Sequence, residues 1–157
     1  MAPDASGPPI AVAGPARRRA LQALYQWQVA GQDLAAIEQQ FLEEYRMGRT
    51  DLEYFAVLLH GVPATVTRLD AAIEPWLDRP FRTLDPVERA ILRLGTYELL
   101  ERLEVPYRVV VNEAVELAKA FGAEQSHRYI NGVLDRVGRA SELRAAELRR
   151  GRGGGER

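Results

Sequence analysis

Apolar residues recur at intervals of three and four along the central part of the chain, and no segment alternates apolar and polar residues. The clearest case is the stretch from residue 109 to residue 121, where Val111, Ala114, Val115 and Ala118 follow the i, i+3, i+4, i+7 rule of a helix that packs on one face. Because a half-buried strand would show a period of two, the pattern predicts an all-α fold.

Capping residues mark where several of these helices begin and end. Asp33 and Asp85 are predicted N-caps, and Pro86 sits at the favoured first helical position after Asp85. Glu88 lies where it could complete a capping box with Asp85. Glycine stops helices, which predicts ends at Gly31, Gly122 and Gly138, and Ser126 is the predicted N-cap of the last core helix.

The predicted helices number about seven, in two packed helical sub-bundles that meet near residues 73–77. A long third helix spans apolar positions from Phe55 to Ile73 and contains Pro63. Since proline removes one backbone hydrogen bond and crowds the preceding turn, we expect a kink at residues 60–63.

Composition divides the chain into a core and two ends. Residues 1–16 hold four of the nine prolines and are predicted to be a disordered arm. Residues 17–138 form the predicted helical domain. Residues 139–157, rich in arginine and glycine, are predicted to be a flexible tail.

Several classes of function find no support in the composition. The chain has no cysteine, which excludes disulfides and thiolate metal sites. Its two histidines, His60 and His127, lack metal-ligand spacing, and no glycine-rich phosphate loop or catalytic motif is present. No apolar run approaches the roughly 20 residues of a membrane span. We therefore expect a cytoplasmic protein that is not an enzyme and needs no metal or cofactor.

Two local clusters of cations stand out because the net charge is only −1. The first is Arg17, Arg18 and Arg19, at the junction of the arm and the first helix. A helix N-terminus already carries about half a positive charge, so three arginines there are unfavourable unless an anion binds. A solubilising start to the chain is the alternative, and phosphate contact is the functional interpretation.

The second cluster opens the last core helix, in the segment SHRYINGVLD. At 100° per residue, Arg128 points away from the buried stripe, and Tyr129 and Asn131 flank it. Gly132 lies one turn further on the exposed side, where its cost of about 1 kcal/mol suggests that something approaches the backbone. These residues could form a platform for unpaired bases, or an ordinary amphipathic helix with incidental polar residues.

The number of cations limits how tightly such a surface could bind RNA. Arginines 17, 18, 19 and 128 would give a salt slope of about −3 on single-stranded RNA, which is roughly a 50-fold loss between 50 and 200 mM salt. We therefore expect weak binding by the chain alone and a partner that adds contacts.

Three segments of the core, RRRALQALYQWQ, ERAILRLGTYEL and VPYRVVVNEAVELAKAFGAEQSHRYINGVLDRV, resemble the NusB family of transcription antitermination factors. The resemblance covers residues 17–138. It implies two perpendicular helical sub-bundles and binding to the single-stranded boxA element of ribosomal RNA leader transcripts in bacteria. It also implies a heterodimer with the ribosomal protein NusE, and assembly with other Nus factors on RNA polymerase.

The resemblance also assigns roles to residues. It implies RNA contacts by Arg17, Arg18, Arg19, Tyr25, Phe121, Arg128, Tyr129 and Asn131, and a NusE contact by Glu88. Family members usually have about one more helical turn between the arginines and ALYQWQ, which leaves the register of these arginines on RNA open. A helix normally smooth in the family contains Pro63 here.

Two other functions remain open at this level. The same helical domain occurs fused to RNA cytosine methyltransferases, although this chain ends before a cofactor-binding domain could begin. The chain could also be a protein-interaction module, since some family members form homodimers.

Overall fold

The computed structural model describes residues 13–155, with the backbone alone at residue 50 and at residues 151–155. Within this range the chain forms α-helices and short 3₁₀ turns and contains no β-strand, so the all-α prediction is confirmed. The helices are α1 Gly14–Ala30, α2 Leu34–Glu44, α3 Arg49–Ala64, α4 Val66–Ile73, α5 Pro86–Glu101, α6 Tyr107–Phe121, α7 Ser126–Ala140 and α8 Ala145–Gly155.

The helices pack as two groups. Helices α1, α2 and α3 pack on one another, and α4, α5, α6 and α7 form the second group. Helix α5 joins the groups because it also packs against α1 and α3. It is the most buried helix of the described chain, with an uninterrupted buried run from Leu94 to Leu99. The predicted pair of sub-bundles is therefore present, with α5 as its shared element.

The chain passes from the first group to the second at Thr65. Pro63 lies in the last turn of α3, where its ring cannot supply a backbone donor. The backbone N–H of Thr65 instead donates to the carbonyls of Gly61 and Val62, both at 3.2 Å. Thr65 leaves helical geometry with φ −118° and ψ 16°. The predicted kink is therefore a complete break, and it separates α3 from α4.

Two of the predicted helix starts and two of the predicted stops are confirmed. The Asp33 carboxylate accepts from the N–H of Ala36 at 3.2 Å, and that of Asp85 accepts from the N–H of Val87 at 2.8 Å. Gly31 ends α1 in the left-handed region at φ 64°, which favours glycine. Gly122 ends α6 in an extended conformation.

The first residues of α1 begin inside the predicted arm. Gly14 already starts the helix, and Ala13 and Ala16 are fully buried. Residues 13–16 of the predicted disordered arm are therefore structured. Residues 1–12 lie outside the described part of the chain.

The predicted tail also differs from expectation, because α7 does not end at Gly138. A Cβ added at Gly138 would lie 2.4 Å from Cε2 of Tyr107, so this glycine permits close packing of α7 on α6 instead of capping a helix. Beyond α7, a 3₁₀ turn at residues 142–144 leads into α8. The chain after Gly138 is therefore structured at least as far as residue 150.

Arg144 explains why the tail is held in place. Its side chain is 1% exposed, and its guanidinium donates to four carbonyl oxygens around the C-terminal end of α5. These oxygens belong to Glu98, Leu99, Arg102 and Val105, at 2.8–3.2 Å. The last carbonyls of a helix have no partners within it, so Arg144 serves as a side-chain cap for α5.

Glu147 caps the next helix in the same way. Its Oε2 accepts from the N–H of Tyr107, the first residue of α6, at 2.7 Å, and its Oε1 accepts from Arg144 at 2.8 Å. Burial alone raises the pKa of this carboxyl, but the two hydrogen bonds outweigh burial and lower the pKa below its ordinary value. Arg144 and Glu147 thus join the tail to the α5–α6 connection.

Candidate nucleic-acid interface

Arg17 is not at the surface, in contrast to the prediction that it contacts phosphate. Its side chain is 0% exposed and forms an ion pair with Glu98, with Nη2 2.9 Å from Oε2. Its guanidinium carbon lies 5.5 Å from the ring centre of Tyr54, whose hydroxyl also hydrogen bonds to Glu98. The physical reason is the ion pair: a buried carboxylate needs a buried cation. Arg17 is therefore left out of the candidate surface.

The other two arginines of this cluster lie outside the core. Arg18 is exposed. Arg19 is half-buried, with its guanidinium carbon 3.8 Å from the ring centre of Tyr45 and an Nη1 hydrogen bond to Gln22 at 3.0 Å. Arg18 is the member of the cluster that most openly presents its charge to solvent.

Tyr25 continues the exposed side of α1 beyond Arg18. Seven residues correspond to almost two full turns, so Arg18 and Tyr25 point in nearly the same direction. Tyr25 is 40% exposed, and Val29, one turn later, is 56% exposed. One face of α1 thus offers a cation followed by an aromatic ring.

The turn between α6 and α7 carries the second group of predicted residues. Phe121, the last residue of α6, is 38% exposed. Arg128 and Asn131 are exposed, and Tyr129 is half-buried. A Cβ added at Gly132 would meet nothing within 4 Å. The exposed side of α7 therefore leaves its backbone open to a ligand, as the sequence predicted.

The start of α7 is built differently from the prediction. Gln125, at φ 70°, occupies the N-cap position and makes no side-chain cap. Ser126 is buried and donates from Oγ to Glu88 Oε2 at 2.8 Å. Ser126 is therefore not the N-cap. Glu88 binds α7 rather than closing a capping box on its own helix.

The arginines of α1 and the start of α7 lie beside different ends of α5. Arg17 pairs with Glu98, and Gln28 donates to the carbonyl of Pro86 at 2.9 Å, so α1 runs antiparallel to α5. Ser126 meets α5 at Glu88. Glu88 and Glu98 are ten residues apart, about 15 Å of helix. The arginines of α1 and the start of α7 therefore lie about that far apart along α5, and they do not form one cluster.

Tyr129 has partners that the sequence analysis missed. Its hydroxyl donates to Asp78 Oδ1 at 3.0 Å, and the guanidinium carbon of Arg79 lies 5.0 Å from its ring centre. Asp78 and Arg79 lie between the 3₁₀ turns at residues 74–76 and 81–83. Loop residues have no period that would reveal such a contact, and no signal in the sequence pointed to it.

A groove opens beside the end of this loop. It has a volume of about 580 Å³ and lies where the end of α1, the end of α4 and the first turns of α5 meet. Its lining mixes aromatic, basic and acidic residues: Trp27, Gln28, Asp70, Glu74, Pro80, Phe81, Arg82, Arg89 and Arg93. Arg93 is held by a bidentate contact to Asp70 at 2.8 and 2.9 Å.

The described residues hold neither a metal-binding cluster nor a membrane-spanning helix. Among residues 13–155 no group of three or more histidine, aspartate or glutamate side chains could hold a metal ion. His60 instead contacts Glu38 at 2.8 Å. None of the helices in this range is both long and apolar enough to cross a membrane.

Comparisons with known proteins agree on one family. Residues 14–139 match the model of the NusB family. A transcription antitermination protein NusB from Alkalilimnicola ehrlichii is 56% identical over 159 aligned positions, which cover 87% of this chain and 89% of that protein.

Solved structures show the same relationship. NusB from T. maritima aligns with a TM-score of 0.73 at 29% identity and covers 86% of this chain and 94% of its own. A complex of the antitermination factors NusB and NusE with double-stranded RNA contains a chain that aligns with a TM-score of 0.75 at 27% identity, over 83% of this chain and 98% of that one.

Proposed function

The chain belongs to the NusB family, and we propose that it is a transcription antitermination factor that binds boxA RNA as a heterodimer with the ribosomal protein NusE. The observation that carries the proposal is the match of residues 14–139 to the family, together with more than half identity to an antitermination protein. In this role the heterodimer joins other Nus factors on RNA polymerase in the bacterial cytoplasm. The role is that of an adaptor and includes no catalysis.

The exposed residues support RNA as the ligand. Phe121 and Tyr25 are large aromatic side chains with 38% and 40% exposure, and each lies on an element that also carries an exposed cation. Aromatic rings offer stacking surfaces to unpaired bases, and arginines contact the phosphates between them. The separation of about 15 Å between the arginines of α1 and the start of α7, measured along α5, suits an extended single strand better than a compact ligand.

The charges also support the need for a partner. With Arg17 buried, arginines 18, 19 and 128 remain, and they give a salt slope of about −2 on single-stranded RNA. Such a slope corresponds to few phosphate contacts. NusE would add contacts of its own and so raise the affinity of the complex.

A binding titration tests this function. We expect fluorescein-labelled single-stranded boxA RNA to bind the full chain with NusE much more tightly than without it, and more tightly than a scrambled RNA of equal length. A duplex of the same sequence, used as competitor, shows which form is preferred. An affinity that is the same with and without NusE, and the same for boxA and scrambled RNA, contradicts the adaptor function.

Tyr129→Ala should weaken boxA binding by about 1–3 kcal/mol, because it removes one stacking surface. Tyr129→Phe keeps the ring and should bind nearly as well as the wild type. Circular dichroism must show unchanged helix content in both variants, because the ring of Tyr129 also packs against the core. Equal affinity of the alanine variant and the wild type would remove Tyr129 from the RNA surface.

We propose that the NusE contact lies at the first turn of α5. Glu88 is half-buried there and contacts Ser126 of α7, and the next residue, Arg89, lines the groove. Its Oε2 accepts from Ser126, which leaves acceptor capacity on the carboxylate for a partner's donors. The neighbouring groove could receive a side chain of the same partner.

Glu88→Gln should weaken the heterodimer by about 1–2 kcal/mol, because the amide still accepts from Ser126 but no longer offers a charged acceptor to NusE. Isothermal titration of NusE into the variant measures the change. Glu142→Gln, an exposed glutamate near the opposite end of α5, is the matched control and should bind as the wild type does. A heterodimer constant unchanged in the Glu88 variant would place the interface elsewhere.

A further inference from the structure

The loop at residues 77–80 packs against the first turn of α7. The backbone N–H of Asp78 donates to the hydroxyl of Tyr129 at 3.4 Å, and that hydroxyl donates to Asp78 Oδ1 at 3.0 Å. Both contacts come from a segment that carries no predicted role. The loop therefore lies beside the residue that the family resemblance assigns to RNA.

Arg79 covers part of the ring of Tyr129. Its guanidinium carbon lies 5.0 Å from the ring centre, within the range of a cation–π contact. Its Nε donates to Asp78 Oδ1 at 2.8 Å. The side chain of Arg79 is still 48% exposed, so much of the guanidinium faces solvent. A planar cation thus extends the aromatic surface of Tyr129.

Asp78 holds Arg79 in this position and also offsets its charge. The Asp78 side chain is 64% exposed, and exposed ion pairs are weak. An RNA phosphate can therefore compete with Asp78 for Arg79. The pKa of Asp78 is lowered, first by its hydrogen bond from Arg79 and then by that from Tyr129, so the carboxylate is ionised at neutral pH.

We propose that Arg79 is a further RNA-contacting residue, which exchanges Asp78 for an RNA phosphate and stacks beside Tyr129 when boxA RNA binds. The proposal rests on the function proposed above. Arg79 adds a second arginine to the surface formed by Arg128, Tyr129, Asn131 and Gly132. Without RNA, the carboxylate of Asp78 occupies the position beside Arg79 that the phosphate takes when RNA binds. The negative charge of Asp78 therefore opposes RNA binding.

Two substitutions test the proposal in the same titration with NusE, one that removes a positive charge and one that removes a negative charge. Arg79→Ala should weaken boxA binding about 3- to 10-fold and reduce the salt slope by about 0.7, the value of one phosphate contact on a single strand. Asp78→Asn keeps an oxygen that can accept from Tyr129 but removes the charge, and it should tighten binding by a similar factor. Arg108→Ala, an exposed arginine at the opposite end of α6 from Phe121, is the control for general charge.

The signs of the two effects separate an RNA contact from a structural pair. If Arg79 and Asp78 only fix the loop, both substitutions break the same ion pair and should change RNA binding in the same direction. Any one of three results overturns the proposal: a change in the same direction for both substitutions, an unchanged salt slope in Arg79→Ala, or an equal loss of RNA affinity in Arg108→Ala.

Failure of the proposed function gives a different result. A wild-type chain that does not bind boxA RNA with NusE present contradicts the function itself. If the wild type binds boxA RNA, and Tyr129→Ala weakens this binding while Arg79→Ala does not, then only the role of Arg79 is contradicted.

Discussion

Replacing Arg17 with alanine should lower the free energy of unfolding by about 3–5 kcal/mol, the usual cost of breaking a buried ion pair from one side. The substitution leaves Glu98, itself 1% exposed, without its cation in the core. Burial by itself lowers the pKa of the Arg17 guanidinium, but the hydrogen bond and the charge of Glu98 outweigh burial and raise this pKa. Chemical denaturation monitored by circular dichroism measures the effect.

Arg18→Ala is the matched control for this substitution. Arg18 is the next residue of the same helix and is exposed, so its loss should leave the unfolding free energy within about 0.5 kcal/mol of the wild type. It should instead weaken RNA binding and reduce the salt slope by about 0.7. A stable Arg17→Ala variant with impaired RNA binding would return Arg17 to the surface role that the sequence predicted.

Arg144→Ala should cost about 3–5 kcal/mol of stability, because four carbonyl oxygens around the end of α5 lose a shared donor. Each net hydrogen bond contributes about 1 kcal/mol, and carbonyls that keep no other donor add to the cost. The carbonyls of Glu98 and Arg102 still accept from the backbone N–H groups of Arg102 and Val105. The variant also removes the hydrogen bond to Glu147, which caps α6. Thermal and chemical unfolding should both report the loss.

Arg149→Ala provides the comparison for Arg144. Arg149 lies in α8 and is exposed, so its removal should change the free energy of unfolding by no more than about 0.5 kcal/mol. Equal stability of the Arg144 and Arg149 variants would mean that the tail contributes little to the domain. It would also support the sequence prediction of a flexible tail.

The helices themselves were predictable because their stripes and capping residues are local signals. Asp33, Asp85, Gly31 and Gly122 act within one turn of their own position, and each marks an observed helix boundary. The tail was not predictable in the same way. Arg144 is held by carbonyls about 40 or more residues earlier in the chain, and no periodicity reports a partner at that distance.

Those parts of the candidate site that depend only on which side of a helix faces solvent were predictable. Helical spacing placed Arg128, Asn131 and Gly132 on the solvent side of α7, as the structure shows. The sequence prediction wrongly put Arg17 at the surface because it gave more weight to the run of three arginines than to the helical spacing. It precedes Leu21, Leu24 and Gln28 by four, seven and eleven residues, which puts it on the side of α1 that faces α5. An arginine on that side signals a buried acid, but only the fold identifies it as Glu98.

The position of Arg144 has a consequence for the order in which the domain matures during translation. All seven helices of the two groups precede Arg144 and Glu147 in the chain, and a nascent chain emerges from its N-terminus. The core helices can therefore assemble while the end of α5 and the start of α6 still lack their side-chain caps. We expect the nascent domain to pass through a looser, protease-sensitive stage that ends when residues 144–147 leave the ribosome.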